Sequence, residues 1–158
     1  MKEDSLPLLG PGRHVFTLEE LRKLCVHDIN SIQRHNLFAA LHTLVTRLTR
    51  LEVACELWVD GSYLTEKFEP EDIDLCVVVH HAIYENLSSE AKLLLDDVAN
   101  PECKYLGCLD AYVCVDYPAD HPFRAIDPVE EYAEQWSIEH NERHLKGFAR
   151  VKVGHHVH

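Results

Sequence analysis

Residues 53–79, VACELWVDGSYLTEKFEPEDIDLCVVV, constrain this chain more than any other stretch. An apolar, partly β-branched run ends in Trp58 and Val59 and breaks at Asp60-Gly61-Ser62. It crosses a polar loop containing Pro70 and resumes as Asp72-Ile73-Asp74-Leu75, ahead of four further apolar residues. The pattern is strand, turn, loop, strand. Side chains on a strand alternate faces, so Asp72 and Asp74 share one face while Ile73 and Leu75 take the other. Two neighbouring carboxylates at the start of a strand repel each other unless a cation lies between them. An all-oxygen donor set suits a hard divalent ion, Mg2+ or Mn2+, which takes one or two carboxylates and completes its shell with water and phosphate oxygens. Gly61 lets the backbone approach a ligand closely, and consecutive amides with the Ser62 hydroxyl make an anion nest suited to phosphates. The stretch reads as a metal and polyphosphate site.

A Gly-Ser turn after a strand, a nine-residue spacer from Tyr63 to Glu71, and Asp-x-Asp opening the next strand together resemble the signature of the nucleotidyltransferase superfamily, the fold shared with DNA polymerase β. The resemblance covers about residues 31–117 and its strict motif 61–74. It implies an α+β fold in which a mixed sheet packs against helices and carries Ser62, Asp72, Asp74 and a third carboxylate on one rim. It also implies Mg2+-dependent transfer of a nucleoside monophosphate from a nucleoside triphosphate to a hydroxyl on protein, nucleic acid or a small molecule. The chain is similar to the minimal nucleotidyltransferases of prokaryotic toxin-antitoxin and defence loci. Many superfamily members have a second domain that grips base and acceptor, for which 158 residues leave little room, so a protein partner or a homodimer is expected to complete the cleft. The alternative is a catalytically silent module of the same fold, acting as an antitoxin or regulatory subunit.

Two-metal phosphoryl transfer needs that third carboxylate. Asp110 begins the apolar run that follows Gly107-Cys108-Leu109, and Asp116 ends it. About 20 Å separates them at strand rise, so one cluster can use only one of them. Asp110, at the strand's entrance, is the expected ligand and Asp116 the alternative. Lys67 in the loop, with Arg143 and Lys146 ahead of Gly147, are candidate phosphate or acceptor contacts. For Arg143 and Lys146 the competing reading is complementation of a helix C-terminus. His140 with His144, and His80 with His81, have zinc-like spacing but neither an HExxH motif nor a cysteine partner.

The rest of the chain supplies elements around this core. Thr17 and Glu20 make a capping box for a helix over about 18–27. Leu37, Leu41, Leu44 and Leu48 recur at helical spacing across 31–50, with Arg34, Arg47 and Arg50 at the edges. That stripe reads as core packing on the sheet; the competing reading is a basic face toward nucleic acid. Ser88 or Ser89 caps a helix over 89–98 that Asn100-Pro101 stops. Residues 105–117 read as a third strand, 128–141 as a last helix opened by Asp127-Pro128, and 147–153 as a short terminal strand or packed tail. Residues 1–16, with Pro7, Gly10, Pro11 and Gly12, read as an extended arm without regular structure.

Length fits a single domain over 1–158, large enough for a real core. With 15 basic against 27 acidic residues, the net charge of −12 disfavours a sequence-independent grip on long nucleic acid. Six cysteines sit mostly in apolar runs without a CxxC pair, and they read as buried thiols of a reducing cytosol rather than a disulfide or zinc framework. Without a signal peptide or an apolar stretch of membrane-spanning length, a cytoplasmic protein is expected.

Overall fold

The computed structural model describes residues 7–9, 12–26, 31–118, 120 and 147–154. Strands β1 (Gly12–Phe16), β2 (Cys55–Asp60), β3 (Ile73–His80), β4 (Leu109–Asp116) and β5 (Gly147–Val153) form one sheet in the order β1-β5-β2-β3-β4. β2 runs antiparallel to both of its neighbours, β5 and β3, whereas β1 with β5 and β3 with β4 are parallel. The sheet is therefore mixed. Among the described residues the helices are α1 (Leu18–Cys25), α2 (Ile32–Arg50), α3 (His81–Glu85) and α4 (Ser89–Val98). The architecture is α+β, as expected.

Helices α1, α2 and α4 cover one face. Leu21 and Cys25 of α1, the four-leucine stripe of α2, and Ala91, Leu95 and Val98 of α4 join Leu57, Val59, Ile73, Leu75 and Val77 in a single apolar core. Local signals start these helices: Thr17 and Glu20 close the capping box of α1, and the Ser88 hydroxyl caps α4. Strand periodicity sends the alternate residues to the opposite face. There Trp58, Cys76, Val78, Cys114 and Phe148 form a second, smaller cluster, with the Trp58 and Phe148 rings 5.3 Å apart.

Several expectations are corrected. The N-terminal arm is not irregular throughout, because the breakers end at Gly12 and residues 12–16 pair in parallel with β5, from Gly12 beside Gly147 to Phe16 beside Val151. Of the two readings of 147–153 the strand holds, and it is an inner strand, between β1 and β2. The third strand starts at Leu109 rather than at 105, since Leu106 (φ 53°) and Gly107 (φ 77°) turn the chain just before it. Arg34 is not at a helix edge; it is 1% exposed. Cys103 is exposed and Cys108 half-buried, while Cys25, Cys55, Cys76 and Cys114 are buried thiols. Burial pushes Cys25 and Cys55 up to about 12, which keeps both protonated and unreactive. The expected helix over 128–141, with His140, Arg143, His144 and Lys146, lies outside the described residues. No helix among the described residues is long and apolar enough to cross a membrane.

Candidate metal and polyphosphate site

Register places the acidic residues. Asp60 at the end of β2 pairs with Asp74 on β3, and Asp74 pairs in turn with Asp110 on β4. Residues directly opposite each other on neighbouring strands face the same way, so three aspartates stand in a row on the face away from α1, α2 and α4. Asp72 lies just ahead of β3, where the Ile73 amide donates to the Cys108 carbonyl at 3.0 Å and ties the entrance of β3 to that of β4. One carboxylate oxygen from each of Asp72, Asp74 and Asp110 falls within 4.8 Å of the others, and all three residues are half-buried. Asp60 is 5% exposed and continues the row outside that group. Asp116 pairs with His80 at the far end of the same strands, on the wall of a separate cavity of about 240 Å³. Geometry thus joins Asp110, not Asp116, to the Asp-x-Asp pair.

Gly61 faces this cluster. Its backbone (φ 85°, ψ −164°) lies in a region open essentially to glycine alone, and a Cβ there would sit 2.3 Å from Asp74 Oδ2. The hydrogen in place of a side chain leaves Asp74 its position beside the turn. Gly61→Ala is expected to cost about 1–2 kcal/mol in urea denaturation through backbone strain. It should also weaken Mn2+ binding at least about tenfold by pushing Asp74 aside. Unchanged Mn2+ affinity would mean that Asp74 is not held there for an ion.

Ser62 opens a short 3-10 turn, Ser62–Leu64, and the loop beyond it is clasped by the start of α2. The Arg34 guanidinium donates to the carbonyls of Cys25 (2.8 Å), Tyr63 (2.8 Å), Thr65 (2.6 Å) and Lys67 (3.1 and 2.6 Å). Ser31 Oγ, which caps α2, donates to the Phe68 carbonyl at 2.8 Å. From the other side Leu8 donates its amide to Leu64 at 2.8 Å. Lys67 takes part through its backbone: its carbonyl accepts from Arg34 and its amide donates to Thr65 Oγ1. Of the histidine pairs, His80 caps α3, its Nδ1 accepting from the Ala82 amide, with the His81 ring 4.4 Å away.

Sequence reading missed three participants. Arg34 falls three residues before Leu37 and on the same helical face as the leucines, a signal that it is buried. Asp60 reads locally as a turn residue. Lys104, which pairs with Asp72 at 2.7 Å, had no signal beyond its place in the loop before the third strand.

The donor set fits a hard divalent cation. Three carboxylates converge without a nitrogen or sulfur ligand among them, the donor chemistry that Mg2+ or Mn2+ takes alongside phosphate oxygens.

Fold and site together define an α+β domain whose mixed sheet gathers a three-carboxylate cluster at the entrance of two parallel strands. The chain belongs to DUF6932, a family of unknown function, whose profile matches residues 1–152. No curated protein and no solved structure matches it.

Proposed function

We propose that the protein is a Mg2+-dependent nucleotidyltransferase that moves a nucleoside monophosphate from a nucleoside triphosphate to a hydroxyl acceptor. The observation that carries this reading is the convergence of Asp72, Asp74 and Asp110 beside Gly61, on the turn, spacer and Asp-x-Asp pattern that resembles the superfamily. Asp72 and Asp74 would hold the cations, and Asp110 would share the one beside the acceptor. Bound there, divalent ions would lower the pKa of the acceptor hydroxyl and neutralise triphosphate charge. Gly61 and Ser62 would bind the β- and γ-phosphates through the backbone and the hydroxyl. Asp110 would help take the acceptor's proton.

A silent module of the same fold has no need of a third carboxylate, and the place of Asp110 in the cluster favours the active reading. Purified protein incubated with Mg2+, each α-labelled nucleoside triphosphate in turn and a cell lysate should release pyrophosphate and label an acceptor, and chelation with EDTA should stop both. Release of no pyrophosphate with any nucleotide, in Mg2+ or Mn2+, would overturn the proposal in favour of the silent module.

A further inference from the structure

The turn before β4 delivers a cation to the acidic cluster. Lys104 Nζ lies 2.7 Å from Asp72 Oδ2. The pair with Asp72, and then the nearby charges of Asp110 and Glu71, hold the ammonium in its charged form. Lys104 does not come from a loose segment. Tyr105 and Leu109 exchange both backbone hydrogen bonds at 2.9 Å, and the Gly107 amide donates to the Lys104 carbonyl at 3.0 Å. Tyr105 is buried, and Arg47 of α2 donates to its hydroxyl while lying 5.7 Å from its ring centroid. The lysine is launched from a turn pinned to the helical layer.

Charge then limits what the cluster can load. Asp72, Asp74 and Asp110 bring three negative charges when ionised, and Lys104 returns one positive charge. Within these four residues the remainder of two is what one divalent ion neutralises; Asp60 and Glu71 lie outside the group whose oxygens converge. A second ion has no counter-charge until a triphosphate brings its own.

We propose that Lys104 is a positioning residue for this cation site: in the free protein its ammonium stands in for one of two ions, and when nucleotide arrives it passes to the polyphosphate. While Lys104 stays on Asp72, the cluster holds one ion rather than two. The inference rests on the metal and nucleotide reading above, and it differs from an ordinary exposed ion pair, whose removal has little consequence.

Mn2+ titration followed by electron paramagnetic resonance tests it, using wild type, Lys104→Met, Lys104→Arg and Asp74→Asn, with and without a non-hydrolysable triphosphate analogue. Without nucleotide, Lys104→Met should bind Mn2+ about tenfold tighter and take up a second ion, because a unit charge a few ångströms from a divalent ion opposes it by about that factor even with water-like screening. With Mn2+ present, the same variant should bind the analogue about tenfold more weakly, and Lys104→Arg should follow wild type in both respects. Equal Mn2+ affinity and stoichiometry in wild type and Lys104→Met, with Asp74→Asn deficient, would reduce Lys104 to a surface pair and leave the site reading standing. Tighter Mn2+ with unchanged affinity for the analogue would overturn the transfer to the polyphosphate. Mn2+ binding by no form, Lys104→Met included, would remove the cation site itself.

Discussion

Asp74→Asn is expected to abolish the proposed nucleotidyl transfer, by roughly a thousandfold or more, while leaving the fold in place. Asp74 is the middle member of the row, flanked in register by Asp60 and Asp110. Asparagine keeps the size of the side chain and one acceptor oxygen, but it removes a negative charge and turns an N–H donor toward a place where only acceptors serve a cation. Two measurements separate lost chemistry from lost structure. Without divalent ions the variant should melt within a few degrees of wild type. Saturating Mg2+ should raise the wild-type melting temperature, since a ligand at a hundred times its Kd contributes about 2.7 kcal/mol, or roughly 5–10 °C for a domain of this size. The variant should show no such rise. Pyrophosphate release by Asp74→Asn at wild-type rates would contradict the mechanism outright.

The centre of the sheet was legible because its signals are local. Alternation through Ile73-Asp74-Leu75 and the break at Gly61 fix β2, the turn and β3 without reference to anything distant. The choice of Asp110 over Asp116 needed one longer-range assumption, that β3 and β4 present their entrances side by side, and the parallel register from Ile73 beside Leu109 to His80 beside Asp116 satisfies it. β1 was not legible. Five residues after a run of breakers become a strand only because β5, from the other end of the chain, supplies a partner. Lys104 likewise gains its meaning from Asp72, a residue far from it in sequence, and an exposed lysine in a loop usually means nothing.

Arg34→Met is expected to destabilise the domain by roughly 4 kcal/mol or more, a large part of the 5–15 kcal/mol typical of such a fold. The guanidinium has five N–H donors, and all five meet carbonyls: of Cys25 at the end of α1, of Tyr63 and Thr65 after the glycine turn, and of Lys67 twice. Methionine fills similar volume but leaves those carbonyls unmatched, several of them buried, at about 1–3 kcal/mol for each buried group. Arg34→Lys should fare little better, because one ammonium with three donors cannot span four carbonyls arranged for a planar fork. Arg50→Met, at the exposed end of the same helix, should change stability by no more than about 0.5 kcal/mol. Urea denaturation of the three variants checks the ranking, and an Arg34→Lys curve that overlays wild type would refute it. The loop held by Arg34 runs directly from Gly61-Ser62, so the loss reaches the site. At a temperature where Arg34→Lys is still folded, its affinity for a triphosphate should fall while the carboxylates, carried by the strands and the entrance to β3, keep their hold on Mn2+. That separation would mark Arg34 as the residue that converts a flexible connection between two strands into a fixed seat for phosphates.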